Sequence, residues 1–244
     1  MRPGAVAAAL LIFLTTTAEA ADPAFDRAVD AAKASAVVPG DIIETASAAC
    51  DTPLCFAQAL AAKLPGRVRL EPVDHPDTDS IRWARTDRSV IAEETLDTLR
   101  VKITHFGRKA VQELREALSG AKGRLPIELD LRGNPGGDFE RMLQIAGLLL
   151  GSRRDMVEID HGDHVERRSL PGPTTRNRQV VSVEIDEETA SAALLLARLL
   201  AAHGDTETRG SPLFDDPVFL KRRITIDHDW RLVLPIAEVR VAVP

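Results

Sequence analysis

Apolar and polar positions recur along this chain with two periods, and each period predicts an element. Phe25, Ala28, Val29 and Ala32 recur at helical spacing over 24–35, and Val38-Pro39-Gly40 breaks the run. A second helix is predicted over 41–49. A third is capped by Asp51 or Thr52, carries Pro53 in its first turn, buries Phe56, Leu60 and Leu64, and stops at Pro65-Gly66. Val68-Arg69-Leu70 and Ser80-Ile81-Arg82-Trp83 alternate as strands do, around a loop at His75-Pro76-Asp77. Glu93 to Thr98 reads as a helical turn or as the lead-in to the next strand.

From Leu99 the two periods take turns. An alternating strand over 99–106 precedes a helix with Ala110, Val111, Leu114, Ala117 and Leu118 as its buried stripe, closed by Gly123. A strand over 126–132 precedes a second helix with Phe139, Met142, Leu143, Ala146, Leu149 and Leu150 on one face. Strands follow at 156–159 and 165–169 around His161-Gly162-Asp163, then a polar loop from Pro171 to Arg178. A strong strand over 179–185 leads into a helix from Thr189 to His203, ended by Gly204. The last strands are 206–209, 224–226 and 232–234, the latter two flanking a hairpin at 227–230, and 239–243. The strand–helix–strand–helix order predicts an α/β fold with a mostly parallel sheet and right-handed crossovers.

The chemistry concentrates at two junctions. Leu129-Asp130-Leu131-Arg132-Gly133-Asn134-Pro135-Gly136-Gly137 joins a strand to a helix through a turn that few residue types form. Gly136 and Gly137 permit positive φ and close backbone approach, and Asp138 is placed to cap the helix. Backbone N–H groups at such a helix start suit an anion or a developing oxyanion. At the second junction, Glu188-Thr189-Ala190-Ser191-Ala192-Ala193 puts a serine at a helix start, where it reads either as a cap or as a nucleophile.

The first motif closely resembles the signature of the carboxyl-terminal processing proteases, or tail-specific serine peptidases. The second is similar to that family's Gly-Thr-Ala-Ser-Ala-Ser-Glu. The resemblance covers roughly residues 97–241. It implies a Clp protease/crotonase-like core, Ser191 as nucleophile, and an oxyanion hole from the backbone of Gly136, Gly137 and Ala192. It implies a lysine base after Gly-Glu-Pro-Thr-Phe. Here Gly210-Ser211-Pro212-Leu213-Phe214 leads to Asp216 at the matching position. Glu188 replaces the motif's first glycine, and Ala193 and Leu194 replace its last Ser and Glu. Lys221, five residues beyond the expected site, His203 and His105 are the other base candidates. A serine hydroxyl must lose its proton as it attacks, so the base decides activity.

Length and composition fit this picture. The chain has 244 residues and 44% hydrophobic content, enough for one domain with a small extra lobe. Residues 1–20 read as a signal peptide: Arg2, an apolar run from Ala5 to Leu14, and Ala18-Glu19-Ala20 for cleavage. The expected division is therefore signal peptide 1–20, an N-terminal helical and mixed lobe 21–96, and a peptidase-like domain 97–244. An exported chain, periplasmic or extracellular and without a membrane span after cleavage, makes a Cys50–Cys55 disulfide the default. The net charge of −6 and the lack of a basic cluster argue against nucleic acid. No cofactor or metal is expected; His161 and His164 read as turn residues. The expected partner is a peptide or unfolded protein, hydrolysed if the site is active. The alternative is a non-catalytic relative that binds a peptide, lipid or protein in the same cleft.

Overall fold

The computed structural model describes residues 22–65, 67–73, 88–174, 178–212 and 217–242. His75, the strand expected at 80–83 and Asp216 lie outside the described residues. Three helices open the chain: α1 (Pro23–Lys33), α2 (Gly40–Ala48) and α3 (Pro53–Lys63). Asp22 caps α1 and Thr52 caps α3, each with a proline in the first turn. Cys50 and Cys55 form a disulfide with Cα atoms 5.6 Å apart, tying the end of α2 to the start of α3.

Then follow β1 (Arg69–Pro72), β2 (Val90–Glu94), β3 (Leu99–Ile103), α4 (Ala110–Gly120), β4 (Ile127–Asp130), α5 (Phe139–Leu150), β5 (Arg153–Asp160) and β6 (Val165–Leu170). The chain continues through β7 (Val180–Glu184), α6 (Ala192–His203), β8 (Glu207–Arg209), β9 (Val218–Thr225) and β10 (Trp230–Val241). One sheet has the order β2-β3-β4-β7-β8. Its β3-β4, β4-β7 and β7-β8 pairs are parallel, and β2 is antiparallel to β3. The other sheet is antiparallel, β1-β10-β5-β6 with β9 also on β10. This is the α/β core that the sequence predicts, with helices packed on a mostly parallel sheet.

Several segments differ from the sequence reading: β9 begins at Val218, well before the strand expected at 224–226, and β10 runs unbroken where two strands, 232–234 and 239–243, are expected. Glu93 and Glu94 end a strand, and 95–98 is the turn of a β2-β3 hairpin closed by Thr95 N–H to Thr98 C=O at 2.9 Å. The helix α6 starts at Ala192 rather than Thr189, because Ser191 has φ 53° and ψ −125°, which no α-helix accommodates.

The core explains why this matters for the site. Inward residues of the first sheet (Leu99, Val101, Ile103, Leu129, Val183) and of the second (Val157, Ile159, Val239) enclose the apolar faces of α5 and α6. Eight of the twelve residues of α6 are buried, so it is a central helix locked from several sides. A second cluster joins α1–α3 to Leu232 and Leu234 of the second sheet and to Ile226, just beyond β9. There Ser35 Oγ donates to the carbonyl of Pro235 and Ala36 N–H to that of Ile236, at the irregularity between Pro235 and Ala237.

Candidate active site

Strands β4 and β7 are parallel neighbours, with Asp130 opposite Glu184. Their carboxyl ends therefore release two turns side by side, the glycine turn 131–138 and the serine turn 185–191. In open α/β sheets this is where ligands bind. The last ladder bond runs from Leu131 N–H to Glu184 C=O at 2.9 Å.

The two turns meet at Gly136 and Ser191. Gly136 has φ +105°, and a Cβ built on it would stand 2.9 Å from Ser191 Cβ and 3.0 Å from Ala192 N. No side chain fits there. Gly137 has φ +133°, and its Cβ would strike the backbone of Phe106, 2.9 Å from the nitrogen. Phe106 N–H donates to Gly136 C=O at 2.9 Å and Asp138 N–H to Phe106 C=O at 3.2 Å. In that parallel bridge the N–H of Gly137 itself points away from Phe106. Asp138 Oδ1 then accepts from Arg141 N–H at 2.9 Å and caps α5.

Not every glycine of the motif offers its N–H. That of Gly136 donates to Asn134 Oδ1 at 2.8 Å, so the expectation of Gly136 as an oxyanion donor is corrected. Its part is to let Ser191 and Ala192 approach. Among the described residues, the N–H groups of Gly137 and of Ala192, the first of α6, have no protein acceptor. The α6 dipole adds to the second of them.

Ser191 holds an unusual backbone conformation for a non-glycine residue and makes no capping bond to α6. A serine at positive φ between strand and helix is the arrangement that exposes a nucleophile at a sharp turn. Among the described residues, no hydrogen bond reaches its hydroxyl. Among the described residues, no base candidate is hydrogen-bonded to Ser191. His203 ends α6, twelve residues on, about 18 Å away at 1.5 Å per residue, which rules it out as the base for Ser191. Lys221 sits on β9 opposite Pro235, in the second sheet, exposed. His105 is 2% exposed, with Nε2 3.1 Å from Ser89 Oγ and Nδ1 3.0 Å from Thr104 Oγ1, so both ring nitrogens are engaged.

Two polar side chains to which the sequence reading assigns no role hold this site. Asn134, fully buried, also donates from Nδ2 to Ile103 C=O at 2.9 Å. Asp186 Oδ1 accepts from Gly133 N–H at 2.9 Å and from Glu188 N–H at 3.1 Å, and it lies 3.0 Å from Thr189 Oγ1. Burial raises the Asp186 carboxyl, but the bonds from Gly133, Thr189 and Glu188 outweigh it and hold it below the usual range. The visible signal was an Asp three residues before a Thr, a spacing that favours local side chain–backbone bonds.

A groove of about 460 Å³ lies elsewhere, on the outer face of the first sheet. It is lined by the ion-paired Arg100, Lys102, Glu128, Asp130, Arg132 and Glu184, and no residue of the serine site contributes to it.

The sequence model of peptidase family S41 matches residues 97–241, more than half of the chain. The chain belongs to peptidase family S41. It is 27% identical over 135 residues to the carboxy-terminal processing protease CtpA of Bacillus subtilis, covering 53% of this chain and 27% of that protein. It is also 27% identical over 154 residues to a carboxyl-terminal-processing protease of Picosynechococcus, covering 58% of this chain and 37% of that one. The chain thus spans well under half the length of these relatives. A lipoprotein structure from Streptococcus agalactiae shares the fold, with TM-score 0.65, 14% identity, and 91% of this chain and 86% of that one covered.

Proposed function

We propose that this chain takes extended segments of peptide or unfolded protein at Ser191, in the manner of the tail-specific peptidases. The observation that carries this is the seating of Ser191, at positive φ, directly on Gly136. The reaction that fits is acyl transfer. Ser191 Oγ adds to a peptide carbonyl carbon as its proton passes to a general base, which then hands that proton to the leaving amine. The carbonyl oxygen takes the charge and lies toward the N–H groups of Gly137 and Ala192. Breakdown of the adduct releases the amine and leaves an ester on Ser191, which water then cleaves. The family names of the relatives, both carboxyl-terminal processing proteases, support a peptide substrate.

One observation favours a second reading. The position where the family carries its lysine is Asp216, and an ordinary Asp is too weak a base at neutral pH. With oxyanion donors but no base, the same cleft binds peptide without cleaving it. The test is hydrolysis of an unfolded protein substrate by the wild type, Ser191→Ala and Asp216→Lys. Activity in the wild type that Ser191→Ala abolishes establishes the peptidase. Activity only in Asp216→Lys establishes a binding protein that lacks the base alone. No activity in any variant, together with no peptide binding, refutes both.

We also propose export, with the mature chain starting near Ala21. The apolar run and the Ala18-Glu19-Ala20 motif support it. Among the described residues no helix is long and apolar enough to cross a membrane.

A further inference from the structure

We infer that Asp186 is a positioning residue, whose carboxylate holds the glycine turn and the serine turn together and so sets where Ser191 stands relative to Gly137. This rests on the reading of Ser191 as the group that meets the substrate. The need for such a residue follows from the strand ends. The ladder between β4 and β7 finishes at Leu131 and Glu184, and beyond it each turn departs on its own. Backbone groups released there need partners or they favour other conformations.

Asp186 supplies them across the gap. One oxygen gathers Gly133 N–H, from the glycine turn, with Glu188 N–H and the Thr189 hydroxyl, from the serine turn. Thr189 Oγ1 also accepts from Asp186 N–H at 2.9 Å and lies 3.0 Å from Leu131 C=O, a second bridge between the turns. The hydroxyl has one proton, so it serves either Leu131 or Asp186 at a time. Next along, Ala190 N–H donates to Asn134 C=O at 3.0 Å, and Asn134 is fixed to Ile103 of β3. Ser191 is the following residue. Asp186 touches neither Ser191 nor the two N–H donors; it acts through Gly133, Thr189 and the Ala190–Asn134 bond. The ionised state of its carboxyl, held by those bonds, strengthens each of them.

The test is amide hydrogen exchange, resolved by residue, on the full chain carrying Asp186→Ala, Asp186→Asn or Thr189→Val. The deciding amides are Ala190 and Gly136, which bond Asn134 and not Asp186. If Asp186 positions the turns, Asp186→Ala speeds exchange at Ala190 and Gly136, as well as at Gly133 and Glu188, by about tenfold or more, the scale of one lost charge-assisted bond. Exchange in α1–α3 stays as it was. Asp186→Asn keeps an acceptor oxygen in place and restores most of the protection. Thr189→Val, which leaves the carboxylate intact, loosens Ala190 as well, and decides the matter if Asp186→Ala does not fold. Loosening confined to Gly133 and Glu188, or spread evenly over the molecule, overturns the proposal. Fluorophosphonate labelling of Ser191 in the same samples separates the two readings. No label on Ser191 in either the wild type or Asp216→Lys, with the expected exchange pattern, removes the nucleophile and leaves the positioning role. A labelled wild type whose Ala190 ignores Asp186→Ala does the reverse.

Discussion

Ser191 carries φ 53° in a place where glycine would be at ease, and such conformations cost about 1–3 kcal/mol in a non-glycine residue. The protein keeps a serine there, so Ser191→Gly is expected to raise stability by about 1 kcal/mol while removing any labelling at this position. Ser191→Ala, which keeps the strain, is expected to leave the melting temperature near that of the wild type. Gly136→Ala has the opposite sign. Its Cβ at 2.9 Å from Ser191 Cβ, on top of φ +105°, predicts a loss of about 2–3 kcal/mol in denaturant unfolding. His105 gives a pH prediction. Burial lowers its pKa from the ordinary 6.5, and Glu113 only partly opposes this. The folded state thus favours the neutral ring. Its contribution is complete above about pH 6.5 and is lost as pH falls through that value toward the depressed one. The melting temperature should therefore drop between pH 7.5 and 5, and less steeply in His105→Gln; a slope unchanged by that substitution contradicts the assignment. At this scale Gly136, Gly137, Asp138 and Ser191 were legible, because glycine pairs and helix caps follow from backbone chemistry. The partners of Asn134 and Asp186 were not, since a hydrogen bond depends on which strand ends the fold brings together.

Elements were legible where one face is buried and the other is wet. The helices α1, α3, α4 and α5 follow their apolar stripes, and β3 shows the alternation of a half-covered strand. The strand β2 escaped because only Val90 of its five residues is buried, so no alternation marks it. Helix α6 was found but begun three residues early: apolar spacing continues through Thr189 and Ala190, and only the backbone of Ser191 shows the break. The short loop closed by Cys50–Cys55 limits what that bridge contributes. Six residues from one cysteine to the other correspond to about 2 kcal/mol in the chain-entropy account. Reduction should lower unfolding stability by about that much, and the loss should fall on α1–α3 in residue-resolved exchange. Equal loosening of α6 would contradict the separate packing of the N-terminal helices on β9 and β10.

Among the described residues, two sheets of different character clasp two helices, α5 and α6. The parallel sheet delivers both turns of the site to neighbouring strand ends, and the antiparallel sheet closes the far side of α5 and α6. The outer face of the parallel sheet is laced with cross-strand pairs such as Arg100–Glu128 and Lys102–Asp130, largely exposed and worth little individually. The architecture therefore invests its precision at Gly136 and Ser191, and the proposed departure from the family lies at the base, with Asp216 where the resemblance implies a lysine. The central claim is that Ser191 and the glycine turn form an intact acyl-binding site whose weak point is the proton acceptor. Fluorophosphonate labelling of the full chain, with the modified residue located by mass spectrometry, tests it most directly. General bases contribute about 10²–10⁴-fold, so Asp216→Lys should label at Ser191 at least about a hundredfold faster than the wild type, and Ser191→Ala should remove the label in either background. An Asp216→Lys protein that folds yet labels no faster, or a label that survives Ser191→Ala, would contradict the account.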